Sequence, residues 1–219
     1  MPSIGAIIER WGIECVILDL DGTLVDTLGI HVEAFVRVAK EIGADVPVEL
    51  IEQNMGRTAA DVLRAIVPEI SESELAFYAK RKEDVLAQLL GEVRPLPGAA
   101  ELLKELKRLG LPVVLASSTT LENVEKILKA SGLAGFFERM VTAEDVAEGK
   151  PNPDVFVKAA AKGGASTSKS LVIGDSIHDV AAAMAAGCFT IAVASGKHTV
   201  DQLRGLKPNL VAKELAELL

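Results

Sequence analysis

Residues Cys15–Thr27, CVILDLDGTLVDT, begin as an apolar strand and then place three carboxylates close together, at Asp19, Asp21 and Asp26. The run before Asp19 is continuously apolar rather than alternating, which is typical of a parallel strand buried on both faces. Open parallel sheets bind their ligands beyond the carboxyl ends of the strands. We therefore expect Asp19 and Asp21 to point into a ligand crevice.

Further apolar runs predict more strands of the same kind. The strand candidates are Cys15–Leu20, Leu111–Ala116, Leu171–Gly174 and Thr190–Ala194, with weaker ones at Arg139–Thr142 and Asn209–Val211. The helical patterns between them are Gly98–Leu109, Leu121–Ser131, Pro153–Lys162 and Ile177–Ala186. Strands that alternate with helices at this spacing imply parallel strands joined by crossover helices. The predicted fold class is α/β, a Rossmann-like open parallel sheet.

One segment interrupts this alternation and predicts a second domain. Residues 26–93 contain no strand candidate, only helical patterns at Gly29–Ile42, Val48–Asn54, Thr58–Ile66 and Ser71–Leu90. The turn sequence RPLPG at Arg94–Gly98 closes it. We predict a sheet domain made of residues 1–25 and 94–219, with a helical insert at 26–93. Because the insert follows the carboxyl end of the first strand, we expect it to act as a lid over the crevice.

Composition narrows the range of partners. The chain has 219 residues, 49% of them hydrophobic, enough for a sizeable core. Its 23 basic and 31 acidic side chains give a net charge of -8, which argues against nucleic acid or an anionic membrane as the main partner. No leader pattern or long apolar run is visible, so we expect a cytoplasmic protein. Its oligomeric state, monomer or homodimer, is left open. Cys15 and Cys188 lie in distant apolar stretches and are expected to be core residues.

Carboxylates at two strand ends predict a metal site. Asp19 and Asp21 follow the first strand, and Asp175 follows Leu171–Gly174. Carboxylates this close repel one another unless a cation or a proton is shared, so the cluster points to a hard cation such as Mg²⁺. The alternative for Asp19 and Asp21 is that they cap a turn. Asp179, one turn into the next helix, could support the site or simply favour the helix N-terminus.

Hydroxyls and a lysine follow the other strand ends. Ser117 and Ser118 come directly after Leu111–Ala116, where hydroxyl and N–H groups suit an anionic oxygen or cap the next helix. Thr23 offers a further hydroxyl beside the carboxylates. Lys150 lies in the proline-flanked loop GKPNPD, where it could neutralise a phosphate, although a surface lysine is the ordinary alternative. Ser117, Ser118 and Thr23 are therefore candidate substrate-binding residues.

Taken in order, DLDGTLVDT, ASS, KPNPD and GDSIHD resemble the four motifs of the haloacid dehalogenase superfamily of phosphohydrolases. The insert is similar to the helical C1 cap of phosphoglycolate phosphatases, sugar-phosphate phosphatases and β-phosphoglucomutases. The resemblance implies that Asp19 attacks phosphorus and becomes an aspartyl phosphate, while Asp21 serves as general acid and then general base. It also implies that Mg²⁺ is held by Asp19, Asp175 and the main-chain carbonyl of Asp21.

The same resemblance assigns roles around the phosphoryl group. Ser117 would bind a phosphoryl oxygen, Lys150 would neutralise the nucleophile and the phosphoryl group, and Asp179 would orient Lys150 or the metal shell. His31, in the insert, falls where many capped relatives have a histidine and could touch substrate, orient Asp21 or pack at the hinge.

Arg57 is a candidate anion-binding residue of the insert, although the arginine of the mutases would fall nearer Ala59. The remaining rings are given structural roles: surface positions for His178 and His198, and packing for Trp11, Phe35 and Phe77.

The predicted function is a Mg²⁺-dependent phosphomonoester hydrolase acting on phosphoglycolate or a sugar phosphate. Dehalogenases of the superfamily need neither the second aspartate nor Mg²⁺, so Asp21 and Asp175 favour phosphate chemistry. Mutases usually carry a basic residue soon after the second-motif serine, whereas Ser118, Thr119 and Thr120 occupy that loop here. Receiver-type switches have similar carboxylates and a lysine but lack a long helical insert. A mutase and a non-catalytic phospho-switch on the same core are the alternatives.

Overall fold

The computed structural model describes residues 1–219 and contains a six-stranded, wholly parallel sheet in the order β3-β2-β1-β4-β5-β6. The strands are β1 Cys15–Leu18, β2 Val113–Ala116, β3 Arg139–Val141, β4 Ser170–Gly174, β5 Phe189–Val193 and β6 Leu210–Ala212. The helices are α1 Ile4–Trp11, α2 Leu28–Ile42, α3 Val48–Gln53, α4 Ala59–Ile66, α5 Glu72–Leu89, α6 Ala99–Arg108, α7 Leu121–Ala130, α8 Asp154–Gly163, α9 Ile177–Ala185 and α10 Val200–Gly205, with 3-10 turns at Ala134–Phe136, Ala143–Asp145, Thr167–Lys169 and Leu215–Leu218. The predicted α/β parallel sheet is confirmed.

Strand β1 lies at the centre and is buried on both faces. Val16 and Leu18 face a core completed by helices α1, α6 and α7, whereas Cys15 and Ile17 face a second core completed by α8 and α9. This double burial explains why the run is continuously apolar. Leu18 pairs in register with Leu115 of β2 and Ile173 of β4, so the three strands end at one edge of the sheet.

The insert contributes helices α2 to α5, which enclose an apolar cluster of their own that includes Phe35, Leu63 and Leu86. Its longest helix, α5, starts with a capping box in which Ser71 accepts from the N–H of Glu74 and the Glu74 carboxylate accepts from the N–H of Ser71. Such a cluster, separate from the two cores of the sheet, fits the predicted division at residues 25 and 94, which stays a prediction.

Two helices were not predicted. Helix α1 begins after Ser3, whose side chain accepts from Ala6 N–H, and it buries Ile4 and Ile7. Helix α10 follows Thr199 in a capping box with Gln202. Helix α10 is short, and its apolar residues are too few to give a clear 3.6-residue period, whereas α1 places Ile4, Ile7, Ile8 and Trp11 at helical spacing, a signal that was missed. No helix of the structure is both long enough and apolar enough to cross a membrane.

Packing predictions for the aromatic residues hold only in part. Phe35 is buried in the insert, and the Trp11 ring lies 4.9 Å from that of Phe189 while remaining half-exposed. Phe77 is 64% exposed on α5, so its prediction as a packing residue is wrong. The two cysteines are buried and unpaired, as expected.

Candidate active site

Two aspartates converge where β1 and β4 end. Asp19 and Asp175 are buried, and the hydroxyl of Thr23 joins them: Oγ1 is 2.7 Å from Asp175 Oδ1 and 3.2 Å from Asp19 Oδ2. Gly22 has a φ of 85°, a left-handed conformation that glycine adopts without strain. A side chain on Gly196, in the loop after β5, would overlap the Asp175 carboxylate. Asp175 is therefore held by close backbone packing as well as by its hydrogen bond from Thr23.

Lys150 brings a fully buried ammonium into this group. Its Nζ donates to Asp19 Oδ1 at 2.7 Å and to the Ala116 carbonyl at 3.0 Å, and lies 2.6 Å from Asp179 Oδ1. The other Asp179 oxygen accepts from the N–H and hydroxyl of Ser176, so Asp179 also caps α9. The structure thus brings Asp179 against Lys150, one of the two placements proposed from the sequence.

The buried carboxylates outnumber the buried cations at these strand ends. Burial raises the pKa of Asp19 to about 7, with Lys150 opposing the rise and Asp179 adding to it. Burial also raises the pKa of Asp175 well above its usual range, and the Asp19 and Asp179 charges add to that shift. Lys150, despite its burial, has a raised pKa because Asp179 and Asp19 face it. One ammonium among three carboxylates leaves room for a further cation.

The donor set suits Mg²⁺. Oxygens of Asp19, Asp175 and Asp179 lie within 4.8 Å of one another, and hard divalent cations prefer such oxygen ligands. Asp175 accepts only from Thr23 and is the least engaged of the three, whereas Asp19 and Asp179 both face Lys150. The residues present therefore fit the metal that was predicted.

Asp21 occupies a different environment from Asp19. Its Oδ1 accepts from Thr27 at 2.6 Å and lies 3.1 Å from His31 Nε2, while Oδ2 accepts from Thr119 at 2.9 Å and from Ser117 at 3.4 Å. Burial opposes ionisation, but His31 and the hydroxyls of Thr27 and Thr119 hold the pKa of Asp21 well below its usual range. The two aspartates are thus distinguished by their neighbours rather than by residue type.

His31 links Asp21 to a buried lysine that sequence reasoning missed. Lys82, on α5, is only 2% exposed, and its Nζ lies 3.0 Å from His31 Nδ1 and 4.9 Å from the centre of the Phe35 ring. An ammonium has protons to donate and no lone pair, so Nδ1 must accept. With Nδ1 as acceptor, a neutral His31 ring would donate from Nε2 to Asp21. A sequence signal existed, because Lys82 falls on the apolar stripe of α5 with Leu75 and Leu86.

Ser118 and Arg57 lie at the seam between the insert and the sheet domain. The Ser118 hydroxyl donates to the Gly56 carbonyl at 2.8 Å, so it contacts the insert's backbone. Arg57 Nη1 donates to Asn54 Oδ1 at 2.9 Å, while its buried Nε has no acceptor. Both residues line a cavity of about 30 Å³ that also contacts Asp19 and Asp21. This cavity has room for little more than a water molecule.

His178 and His198 lie at the same seam, and for His198 the predicted surface position is wrong. His198 is 4% exposed, neither of its ring nitrogens has a partner, and its ring centre is 6.0 Å from that of His178. His178 is half-buried, with Nε2 3.3 Å from the Gln53 carbonyl of α3. Burial lowers the pKa of both rings. The loop carrying His198 contacts the insert through Lys197, whose Nζ lies 2.6 Å from Glu52 Oε1 of α3, and local polarity does not reveal this contact.

Comparison with known proteins identifies the class of enzyme. The family model described as haloacid dehalogenase-like hydrolase matches residues 16–193, so the chain belongs to that family. This confirms the resemblance that the four motifs indicated.

Individual relatives include proteins named as phosphatases and as a phosphoglucomutase. The chain is 34% identical to hexitol phosphatase A of Escherichia coli (81% of each chain covered), and 30% identical to phosphoglycolate phosphatase of Vibrio vulnificus (94% of this chain, 95% of that protein). A solved β-phosphoglucomutase from Clostridium difficile superposes with a TM-score of 0.85 at 25% identity, covering 94% of this chain and 93% of that one. The phosphatase relatives support assignment as a phosphoric monoester hydrolase.

Proposed function

We propose that this protein is a Mg²⁺-dependent hydrolase of a small phosphomonoester, phosphoglycolate or a sugar phosphate, working through an aspartyl phosphate on Asp19. The observation that carries the proposal is the contrast between two adjacent aspartates. Asp19 lies against the Lys150 ammonium at 2.7 Å, which suits a group that must stay ionised to attack phosphorus. Asp21 lies away from Lys150, among hydroxyls and the His31 ring, and these donors favour the ionised form that the second half-reaction needs to activate water.

In the first half-reaction an Asp19 oxygen forms a bond to phosphorus as the ester P–O bond breaks. Asp21, carrying a proton at this stage, delivers it to the departing alkoxide, and the alcohol leaves. In the second half-reaction the ionised Asp21 takes a proton from water as the water oxygen attacks phosphorus. The Asp19–phosphorus bond breaks, inorganic phosphate forms, and Asp21 is again protonated. The donors around Asp21 favour its ionised form, which is the form that activates water.

Charge neutralisation falls to Lys150 and the metal. Lys150 would stabilise the phosphoryl oxygens from its buried position, held there by Asp179. Asp19, Asp175 and the main-chain carbonyl of Asp21 would hold Mg²⁺. When bound, the ion supplies positive charge against the phosphoryl oxygens. Ser117 would bind one of those oxygens, because its hydroxyl lies beside Asp21 at the end of β2.

The insert is proposed to act as the lid. It covers the strand ends through contacts such as Ser118 to Gly56, and the cavity of about 30 Å³ beneath it cannot hold a phosphate ester. Substrate entry and alcohol release then require the insert to move away from the sheet domain, as lids of many enzymes do. We take the structure described here as the closed arrangement of such a cycle.

A phosphomutase is the second candidate, favoured by one observation. The buried Arg57 Nε has no acceptor, and Arg57 forms no ion pair with a carboxylate. Its guanidinium could therefore bind the second phosphate of a bisphosphate. Against this, no basic residue follows Ser117 in its loop.

The test is phosphate release from a panel of small phosphomonoesters, with Mg²⁺ and with chelator, using Asp19→Asn as the blank. Metal-dependent release that favours one compound supports the hydrolase and identifies its substrate. Absence of release above the blank from folded protein, together with interconversion of sugar phosphates primed by a bisphosphate, would move the assignment to a mutase. Absence of both activities would favour a non-catalytic phospho-switch.

A further inference from the structure

A second cavity, of about 710 Å³, lies between the insert and the sheet domain, outside the phosphate site. Helices α4 and α5 form one wall, and the start of α7 together with residues 143–149 forms the other. Ser118 lines both this cavity and the small one beside Asp19 and Asp21, and its hydrogen bond to the Gly56 carbonyl lies between them. The volume falls within the range of small-molecule binding sites.

The second cavity is an acidic cleft, because seven carboxylates and only two basic side chains line it. Both basic side chains already have a carboxylate partner. Arg64 Nη2 lies 2.8 Å from Glu72 Oε1, and Lys80 Nζ lies 3.3 Å from Asp84 Oδ1. The lining therefore carries excess negative charge that its own cations do not balance.

Three carboxylates of the acidic cleft have no cation beside them. Their oxygens accept only from neutral groups: Asp61 from a hydroxyl, Glu144 from a main-chain N–H and a hydroxyl, and Glu148 from a side-chain amide. Asp61 belongs to the insert, whereas both glutamates belong to the sheet domain. The two walls meet near Asp61, since a side chain on Gly149 would overlap its carboxylate. Unpaired negative charge thus lies on both walls.

Asn123, at the start of α7, is an independent sign of a ligand. It lines the acidic cleft and is only 2% exposed. Its Nδ2 donates to Glu83 Oε2 at 2.7 Å and to the Glu83 main-chain carbonyl at 3.0 Å, which uses both amide protons and fixes the orientation of the amide. Its Oδ1 is buried and has no donor. Buried polar atoms normally have a partner, so this oxygen calls for a ligand that carries N–H groups.

The rest of the lining indicates the shape of that ligand. Nine lining residues are hydrophobic and seven of these are alanines, among them Ala59 and Ala60 of α4 and Ala76 and Ala79 of α5. Short apolar side chains leave room for a methylene chain to pack against the helices. No three carboxylates of the acidic cleft place oxygens within 4.8 Å of one another, as ligation of a single metal ion would require. The positive charges must therefore be spaced along the ligand.

We propose that the acidic cleft binds an aliphatic polyamine, whose ammonium groups pair with Asp61 on one wall and with Glu144 and Glu148 on the other. Its methylene segments pack on the alanines of α4 and α5, and one ammonium donates to Asn123 Oδ1. Because the ligand contacts both the insert and the sheet domain, it is held only while the insert lies on the sheet domain. None of these residues lines the small cavity at the phosphate site, so binding does not depend on the proposed hydrolase activity.

The first test is isothermal titration calorimetry with spermidine at physiological ionic strength, where diffuse attraction to a protein of net charge -8 is screened. We expect one saturable site, with Kd raised about fivefold or more in Asp61→Asn and in Glu148→Gln. The matched controls are Asp45→Asn and Glu138→Gln, which remove the same charges from exposed positions outside the cleft and should change Kd by less than about twofold. Absence of saturable binding, or equal weakening in all four variants, would overturn the proposal.

A second variant keeps every carboxylate and adds a competing charge. Ala76 is exposed on α5 and lines the acidic cleft, and lysine is well tolerated in helices. Ala76→Lys should raise the Kd for spermidine about tenfold or more, because its own ammonium can pair with the cleft carboxylates. Gln88→Lys, which adds the same charge to α5 outside the cleft, is the control. Unchanged affinity in Ala76→Lys would place spermidine elsewhere and contradict the proposal.

The third test separates a polyamine from other cations. Butylamine has a methylene chain but a single charge, so it should bind about tenfold or more weakly than spermidine. Mg²⁺ should not displace spermidine beyond the effect of an equal ionic strength of sodium chloride, because the cleft lacks three convergent oxygen ligands. Stoichiometric displacement by Mg²⁺, or equal affinity for butylamine, would overturn the assignment of a polyamine.

Discussion

Replacing Lys150 with methionine should lower the free energy of unfolding by about 3–5 kcal/mol in chelator, the range seen when one partner of a buried ion pair is removed. The ammonium of Lys150 is fully buried and contacts Asp19, Asp179 and the Ala116 carbonyl at 2.7, 2.6 and 3.0 Å. Methionine has a similar length and fills the same space, so the variant removes charge and hydrogen bonds with little change in packing. The buried carboxylates of Asp19 and Asp179 would then lose the only cation in contact with them.

The loss of stability in Lys150→Met should depend on pH, because Asp19 and Asp179, left without a cation, can take up protons. Asp19 already has a pKa of about 7, above its unfolded value, so the folded protein holds a proton that unfolding releases. Its contribution to stability is fully present below the unfolded pKa of about 4 and is lost as pH rises through about 7. Removing Lys150 should raise the pKa of Asp19 further, so the deficit of Lys150→Met should be larger at about pH 8 than at about pH 5.5.

The assay is urea unfolding in chelator of Lys150→Met, Asp179→Asn and the double variant. Because Asp179→Asn removes one of the stranded carboxylates, the double variant should be more stable than the sum of the single losses by about 1–3 kcal/mol. Lys158→Met is the control, since Lys158 is exposed on α8 and bonds only the Asp145 carbonyl. Strict additivity, or a Lys150→Met variant as stable as the control, would refute the account of a charge held by buried carboxylates.

Three further outcomes are expected. Asp19→Asn should abolish phosphate release while leaving the protein folded, because Lys150 keeps Asp179 as a partner, and release at the parent level would remove Asp19 from its role. Asp21→Asn should slow both half-reactions and let the phosphorylated enzyme accumulate, which rapid-quench labelling detects; a burst identical to that of the parent would contradict the acid/base assignment. Addition of Mg²⁺ should raise the thermal midpoint more at about pH 8 than at about pH 5.5, because ligating carboxylates must be ionised. A shift that is the same at both pH values would count against Asp19 and Asp175 as ligands.

The site residues that directly follow a strand could be predicted from the sequence. Asp19, Ser117 and Asp175 each come directly after a buried apolar run, and parallel strands end at one edge of a sheet, so separate local signals converge on one place. Lys150 carried a signal of the same kind through its proline-flanked loop. The structure describes the contacts of these residues, and their roles in a reaction stay predictions.

Most contacts made by the insert could not be predicted from the sequence; His31, expected to touch substrate, orient Asp21 or pack at the hinge, is the exception, since it lies beside Asp21. Lys82 meets His31 across 51 positions of the chain, and Glu83 meets Asn123 across 40. No local period or turn residue specifies how α5 lies against α2 and α7, because that depends on how the insert settles on the sheet domain. The burial of His198 was missed for the same reason: its neighbourhood is polar in sequence, and the adjacent Lys197 contacts Glu52 of the insert.

Gly196 carries no charge and no hydrogen-bonding side chain, yet its backbone lies so close to Asp175 that a single added methyl group would overlap the carboxylate. The same loop is tied to the other side of the site, because the Ser195 hydroxyl donates to the Gly22 carbonyl at 2.7 Å. Inactivating variants of this protein will therefore not be confined to residues that take part in the chemistry. An alanine at position 196, conservative by any measure of size or polarity, should disable the enzyme by displacing Asp175.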